Sequence, residues 1–315
     1  MRLRAWIFCL ITAALSVRPL HALAESPNAA APAGIAFAKS TAPLDVTADQ
    51  GIEISQDAKE VIAHVNARAV RGNATLIGDT LTAYYRPKAA PKAAAPKGAN
   101  PGTPSAGDET SNSEVWRVVA DGAVEIFNPT QHAYGDHADY NIDDAVVVMT
   151  GDHLKMTTPL DIITARDSLE YWETKHQAVA RGDAVEIRGE KRIQADLLVA
   201  DFAENAQKQM VIDVAHGYDH VILTTATDVV TGDRADYVVE TGIVTVTGRV
   251  KMTRQNNQLN GGYAVVNLNT GISTLYPAPP GDKAGDRQVK GLFMPQKKAA
   301  PVPAATASPP PPKGS

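Results

Sequence analysis

The chain has 315 residues, of which 44% are hydrophobic and 5% aromatic, and its formal net charge is −5 at pH 7. An acidic chain is a poor partner for nucleic acid, because that binding depends on Lys and Arg neutralising phosphates. With so few aromatic residues, we expect any apolar interior to be built from aliphatic side chains of medium size.

Residues 1–24 are predicted to be a cleavable signal peptide. Two arginines open the segment, residues 5–17 are largely apolar, and Ala-Leu-Ala at 22–24 supplies a cleavage site. An apolar stretch of about 13 residues is too short for a membrane-spanning helix, which needs about 20, although a retained anchor is the alternative. Cleavage removes Cys9, the single cysteine. We therefore expect an exported, periplasmic protein that folds without disulfides.

Three further segments have the composition of disordered chain. Residues 25–42 are rich in Ala and Pro, residues 87–113 form a Pro/Ala-rich excursion, and residues 276–315 form a Pro-rich tail. Such segments cannot bury enough apolar surface to offset the entropy lost on ordering. An apolar patch at 291–295 within the tail either docks on something or is inert. The predicted folded body is therefore 43–275.

A glycine recurs along this body about every 30 residues and opens short runs of alternating polarity. The recurring positions are Gly72, Gly122, Gly151, Gly182, Gly217 and Gly248. A second motif is interleaved with the first, as GDHADY at 135–140 and GDRADY at 232–237. Turn residues separate Val-, Ile- and Thr-rich runs, and no long stripe has the helical period. The sequence therefore predicts a repetitive, all-β fold made of hairpins.

One face of the predicted strands is apolar. Side chains alternate between the two faces of a strand, and we assign the inward, lipid-facing positions to Ile52, Ile54, Leu76, Val124, Ile126, Tyr140, Ile142, Val148, Leu154, Met156, Val185, Ile187, Val221, Leu223, Tyr237, Val239, Val250 and Met252. The opposite, solvated face is assigned Glu125, Glu186 and Lys251, among others. Because no helix is available to cover the apolar face, the sheet is expected to fold over on itself. The seam is then either a closed core or an elongated groove suited to acyl chains.

The sequence carries no catalytic constellation, phosphate loop or dinucleotide motif, so we expect neither an enzyme nor a cofactor. Asp136, His137 and Asp139 look like a small metal cluster, but the parallel copy has Arg234 in place of the histidine. We therefore expect no metal site. The recurring aspartates are predicted to accept hydrogen bonds from turn amides. They are Asp79, Asp136, Asp139, Asp196, Asp233 and Asp236.

Three segments resemble LptA-type (OstA-like) periplasmic lipopolysaccharide-transport proteins. PLDVTADQ at 43–50 and ARAVRGNATLIGDTLTAYYRP at 67–87 resemble the opening of that family, and GDHADYNIDDAVVVMTGDHLKM at 135–156 resembles its central strands. The resemblance covers 43–87 and 114–275. The order and repetition of the motifs carry it more than any single motif does. The Pro/Ala-rich excursion and the long body depart from the family pattern.

The resemblance implies an elongated, folded-over antiparallel β-jellyroll, shaped like a taco. It implies that lipopolysaccharide passes along an apolar groove that shields the lipid A acyl chains between the inner and outer membranes. The implied partners are an inner-membrane LptC-like protein, an outer-membrane LptD-like protein and further copies stacked head to tail. The alternative is a structural β-solenoid or assembly protein of the cell envelope with a closed core.

Overall fold

The computed structural model describes residues 44–88, 113–206, 210–283, 285 and 287–294. The predicted signal peptide, the segment 25–42 and the interior of the Pro/Ala-rich excursion lie outside the described residues. All the regular secondary structure in the described residues is β-strand. The predicted all-β, antiparallel fold class is confirmed.

Eighteen strands form one antiparallel sheet in the described part of the chain. They are β1 (Leu44–Thr47), β2 (Ile52–Ser55), β3 (Glu60–Arg71), β4 (Ala74–Pro87), β5 (Ser113–Asn128), β6 (Gln131–Asn141), β7 (Val146–Thr150), β8 (Lys155–Thr157), β9 (Ile162–Thr164), β10 (Ser168–Trp172), β11 (Gln177–Arg188), β12 (Lys191–Glu204), β13 (Met210–Thr224), β14 (Val229–Val238), β15 (Ile243–Arg254), β16 (Asn257–Asn267), β17 (Ile272–Tyr276) and β18 (Lys290–Leu292). Most sequential strands pair as hairpins, whereas β1 pairs with β3, β7 with β10, β9 with β11 and β18 with β16.

A crease crosses the middle of the long strands and divides the sheet into two leaves. The pairing register shifts there, between Asp121 and Val124 in β5 and between Thr247 and Val250 in β15, for example. Leaf A contains β2, β7, β10, β17 and one half of each long strand. Leaf B contains β1, β8, β9, β18 and the other halves. Leu81 of leaf A and Leu76 of leaf B pack in one cluster, so the two leaves face each other.

Gly122, Gly182 and Gly248 of the recurring glycines lie at this crease, whereas Gly72 lies in the turn between β3 and β4 and Gly217 is paired within β13. Gly122, Gly182 and Gly248 have φ values of +77°, +82° and +78°, and the residue after each of them also has a positive φ. Two consecutive left-handed residues interrupt the ladder and turn the strand, which is how a bulge bends a sheet. Glycine adopts this conformation without a steric penalty. These three glycines therefore mark the crease in β5, β11 and β15.

An aspartate on the neighbouring strand packs against each of these glycines. A Cβ atom built on Gly122 would lie 2.2 Å from Oδ2 of Asp79, and one built on Gly248 would lie 2.3 Å from Oδ2 of Asp233. At the equivalent place, the amide of Asp152 donates a hydrogen bond of 2.6 Å to Asp136 Oδ2. The predicted bonding of a turn amide by a recurring aspartate is thus confirmed for Asp136.

Asp139, Asp236 and Asp196 of the predicted set use side-chain partners instead, as does Asp233 with Arg249. Asp139 accepts two-pronged hydrogen bonds from Arg117, with Nη2 at 2.6 Å. Asp236 accepts from Arg234 and contacts His216. Asp196 contacts Nδ1 of His220 at 2.8 Å. The first two lie on the outer face of leaf A rather than at the crease, which is why turn amides are out of reach.

The inner faces of the leaves are continuous apolar rows that run across the whole sheet. In leaf A one row of paired residues is Ile52, Ala63, Leu81, Ala120, Ala138, Met149, Leu169, Ala180, Leu198, Gly217, Ala235, Val246, Ala264 and Leu275. In leaf B the facing row is Val46, Ala69, Leu76, Ile126, Ala133, Met156, Ile163, Glu186, Ile193, Leu223, Val230, Met252, Leu259 and Gly291. Two apolar clusters occupy the space between them, one ending at Ala184 and the other beginning at Ala195.

The chain remains ordered beyond the predicted end of the body. The sequence predicts disorder from residue 276 onwards, but β18 adds to β16, with Gly291 opposite Leu259 and Leu292 opposite Gln258. The apolar patch at 291–295 therefore supplies an edge strand as far as it is described. Backbone hydrogen bonds to β16 hold it, although Leu292 itself is exposed.

The C-terminal part of the seam is tied across the leaves by a buried aspartate. Asp228 in leaf B is 2% exposed and accepts hydrogen bonds from Arg254 Nη2 at 2.6 Å and from Ser273 Oγ of leaf A at 2.8 Å. The hydrogen bonds from Arg254 hold the pKa of the Asp228 carboxyl below its usual range, against the effect of burial.

We expect Gly248→Ala to destabilise the fold more than Gly271→Ala does. Both glycines have a positive φ, but a Cβ on Gly248 would also overlap the side chain of Asp233, whereas Gly271 has nothing within 4 Å. The left-handed backbone alone costs about 1–2 kcal/mol per residue, and the overlap adds to that cost at the crease. Urea unfolding of the two variants measures the difference. Equal losses would contradict the assigned role of the crease.

We expect Asp228→Asn to lower the free energy of unfolding by about 2 kcal/mol at pH 7, because charged hydrogen bonds to a buried carboxylate are lost. The lowered pKa of Asp228 means that its contribution is present above the normal pKa of about 3.9 and is lost as the pH falls through the lowered value. The variant and the wild type should therefore converge in acid.

The matched control for this substitution is Asp143→Asn, which removes an ion pair with Arg86 whose two side chains are 46% and 45% exposed. Exposed pairs contribute about 0–1 kcal/mol. Urea unfolding at pH 7 and in acid reports both variants. A pH-independent deficit in Asp228→Asn would contradict the assignment.

Candidate functional site

The space between the leaves is not completely filled. A cavity of about 420 Å³ lies in the N-terminal half, between Leu44, Leu76, Leu81 and Tyr140 among others. A central cavity of about 160 Å³ lies under β11, β12 and β14, and one of about 390 Å³ lies at the lip beside β17. Side chains on the walls of the N-terminal and central cavities are mostly aliphatic, so that space suits apolar ligands, whereas the walls of the lip cavity are mostly polar.

Neighbouring cavities share wall residues. A small linking cavity shares Ile126 and Val147 with the N-terminal cavity and Met156 and Leu169 with the central one. The central cavity and the lip cavity share Leu268. We call this run of inward-facing residues the interior trough. It extends through both apolar clusters.

Most of the predicted groove residues lie in the trough. Those that line a cavity or belong to an apolar cluster are Leu76, Val124, Ile126, Tyr140, Ile142, Leu154, Met156, Val221, Leu223, Tyr237, Val250 and Met252. Ile52 and Ile54 share the inner face but lie on the edge strand β2, where they are 47% and 66% exposed. Val239 lies just after the end of β14.

Val148 faces outward, contrary to the prediction. It pairs with Asp139 on one side and Glu170 on the other, both on the outer face of leaf A. The reason is the turn before β7, which pairs Tyr140 with Val147 rather than with an even-numbered residue. The prediction assumed that the even-numbered residues, which face inward in β6, also face inward after this turn.

Val185 and Ile187 also face outward, and Glu186 faces inward. Val185 pairs with Gln194 and Ile187 with Arg192, and Ile187 is 37% exposed. The backbone decides which alternate residues of β11 face inward. Ala184, two residues after the crease glycine Gly182, is fully buried on the inner face. The prediction instead followed the hydrophobicity of the two aliphatic residues and was wrong for both.

Glu186 belongs to a polar cluster in the central part of the trough. Arg188 donates hydrogen bonds to Asp161 through Nε at 2.5 Å and through Nη2 at 3.0 Å. Its Nη2 lies 3.8 Å from Oε1 of Glu186, and Tyr237 of the opposite leaf lines the same cavity. Charged residues inside an apolar groove are costly unless they are paired.

The environment of this cluster disfavours an ionised Glu186. Burial raises the pKa of the Glu186 carboxyl, the nearby Asp161 carboxylate raises it further, and Arg188 opposes the rise. Burial likewise raises the pKa of the Tyr237 hydroxyl. Arg188 is tied to Asp161, so it compensates Glu186 only in part. The sequence prediction missed this cluster because it placed Glu186 on the solvated face.

The two ends of the sheet carry exposed apolar side chains. At the N-terminal end Ile54 is 66% exposed, and at the C-terminal end Ile272 and Phe293 are 65% and 69% exposed. In the described residues, β1 and β2 pair only with β3, while β17 and β18 pair only with β16. Each end therefore presents unpaired backbone groups and apolar side chains together.

No group of three or more His, Cys, Asp or Glu side chains is placed to hold a metal ion among the described residues. Within the same residues no helix is long and apolar enough to cross a membrane. The described trough offers hydrophobic contact together with the few polar groups described above.

Comparison with known proteins places the chain in a family. Among solved structures, the chain is similar to LptH, the LptA-homologous periplasmic component of the lipopolysaccharide transport device from Pseudomonas aeruginosa, with 18% identity over 43% of this chain and 95% of that one, at a TM-score of 0.37. No curated protein matches the chain significantly. The LptA/(LptD N-terminal domain) LPS transport protein family matches twice, at residues 45–167 and 162–272. Because these matches span well over half of its length, the chain belongs to this family of lipopolysaccharide transport proteins.

Proposed function

We propose that this chain is a periplasmic bridge component that shields the lipid A acyl chains of lipopolysaccharide on their way from the inner to the outer membrane. The proposal rests on one observation, the run of adjoining, incompletely filled apolar cavities in a member of a lipopolysaccharide transport family. A long, open-walled apolar interior is suited to extended acyl chains rather than to a compact cofactor.

The energetic task of such a bridge is shielding. Exposing an acyl chain of about a dozen carbons to water costs roughly 10 kcal/mol, at about 0.8 kcal/mol for each methylene group. A trough lined with Leu, Ile, Val, Ala and Met removes most of that barrier without any chemical step. The proposed activity therefore needs no active site, and the driving force comes from other components.

The exposed ends of the sheet supply the proposed contacts with partners. An edge strand with unpaired backbone groups accepts another strand, and exposed apolar side chains beside it add buried area. We infer that β1 and β2 at one end, and β17 and β18 at the other, join further copies head to tail. The same ends are proposed to meet an inner-membrane LptC-like protein and an outer-membrane LptD-like protein.

Photo-crosslinking tests the trough directly. Ile193 and Ile222 are both half-buried on adjacent strands, but Ile193 lines the central cavity whereas Ile222 pairs with Gln194 on the outer face. With p-benzoylphenylalanine at each position in turn, we expect a lipopolysaccharide adduct from position 193 in cells and none from position 222. Immunoblotting for lipopolysaccharide detects the adduct.

Circular dichroism of both crosslinker variants controls for folding. If both are folded and neither crosslinks, or if both crosslink equally, the trough is not the lipid path. Extraction of the purified protein then decides whether it retains any acylated lipid. A protein that carries none matches the alternative of a structural envelope protein with a closed core.

The end contacts are tested by Ile54→Lys, with Ile187→Lys as the matched control. Both replace an exposed isoleucine, but Ile54 lies on the edge strand β2 and Ile187 lies within the sheet on β11. We expect only Ile54→Lys to abolish concentration-dependent association in sedimentation velocity, because a lysine on an edge strand opposes strand addition. Association that survives this substitution would argue against joining through the N-terminal end.

A further inference from the structure

One carboxylate interrupts the apolar inner row of leaf B. In the row defined above, Glu186 is the only charged side chain, and its paired neighbours are Ile163 and Ile193. The corresponding positions, four residues after a crease glycine, are Ile126 in β5 and Met252 in β15. An apolar residue is therefore compatible with this position in the fold, and the carboxylate requires a reason other than packing.

The carboxylate of Glu186 is only partly compensated by the protein. Among the described residues it makes no hydrogen bond, and its ion-pair partner Arg188 lies 3.8 Å away with two donors already given to Asp161. The Glu186 side chain is 26% exposed and lines the central cavity. It therefore has hydrogen-bonding capacity directed to a space that an acyl chain can enter.

The surroundings restrict the chemistry of a ligand group at this point. Arg188 and Lys191 line the same cavity and disfavour a cation. Asp161 and Glu186 disfavour a phosphate or another anion. A neutral hydroxyl group fits both restrictions, because it donates one hydrogen bond to a carboxyl oxygen and accepts another. The aliphatic walls on either side require the rest of the ligand to be apolar.

The cluster lies where the two halves of the trough meet. The N-terminal apolar cluster ends at Ala184 and the C-terminal cluster begins at Ala195. The two family matches overlap at 162–167, which contains the strand β9 that pairs with Glu186. An acyl chain that passes from one half to the other must therefore pass this carboxylate.

We propose that Glu186, positioned beside Arg188 and Asp161, is a polar binding station that recognises a hydroxyl group carried on an acyl chain in the trough. This inference rests on the proposed function, since it names the acyl chains that the trough prefers. Hydroxylated chains are retained at the junction between the two halves, whereas plain chains of equal length find no hydrogen-bonding partner there.

A pair of neutral probes tests the station. Methyl 3-hydroxytetradecanoate and methyl tetradecanoate are titrated against the purified, exported chain by displacement of the fluorescent probe N-phenyl-1-naphthylamine. We expect the hydroxylated ester to bind about tenfold more tightly, as one hydrogen bond to a charged or polar carboxyl group provides. Glu186→Met, which copies the residue of the equivalent position in β15, should abolish this preference.

Two further variants complete the experiment. Glu190→Leu removes an exposed carboxylate from the turn between β11 and β12 and should keep the preference. Glu186→Gln keeps a hydrogen-bond acceptor at the station, so it should keep most of the preference even if Glu186→Met folds poorly. Circular dichroism and thermal unfolding verify each fold.

The outcomes separate the two proposals. If the wild type binds both esters equally, or if folded Glu186→Met keeps the preference, the station is wrong while the trough still binds acyl chains. If the wild type binds neither ester and displaces no probe, the shielding function itself is wrong. A preference that disappears in Glu190→Leu as well would place recognition outside the central cavity, because Glu190 lines the lip cavity, and would overturn the inference.

Discussion

The whole architecture depends on a backbone constraint at the crease. Pairs of left-handed residues such as Gly122 with Ala123, and Gly248 with Arg249, break the ladder in the middle of long antiparallel strands. Aspartates on the intervening strands fill the space beside those glycines. The same break recurs across the sheet, so all the strands bend along one line. Without it the sheet would be a single twisted layer with an apolar face open to water.

Folding along one line produces both the trough and the open ends. Because the two leaves belong to one sheet, they face each other without a closing strand at either end. The inner row of leaf A contains many alanines, among them Ala63, Ala120 and Ala138. Small side chains opposite the larger ones of leaf B leave the cavities between the leaves unfilled. The unfilled apolar interior is thus a consequence of a small-residue row facing a large-residue row.

The sequence predicted the fold class and much of the trough, because glycine spacing and alternating polarity are local properties of the chain. The sequence prediction failed where the backbone geometry decides which alternate residues of a strand face inward. Val185 and Ile187 are hydrophobic enough to suggest the inner face, yet counting two and four residues from Gly182 gives Ala184 and Glu186, as the other repeats give Val124 and Ile126. The same count from Gly248 gives Val250 and Met252, so it indicates that the carboxylate of Glu186 faces inward. The outward position of Val148 depends on the turn register, which composition does not specify.

The inward-facing carboxylate of Glu186 also provides a way for a largely apolar trough to select among ligands. Hydrophobic contact is non-directional and roughly proportional to area, so it cannot favour one position along the trough over another. A hydrogen-bonding group in an apolar wall can favour one position, because it binds a polar ligand atom at that place and does not bind methylene groups elsewhere. Replacing such a charge by an apolar residue is often neutral or stabilising in other proteins. We therefore attribute the energetic cost of an inward-facing Glu186 to the proposed recognition of a hydroxyl group at one position along the trough.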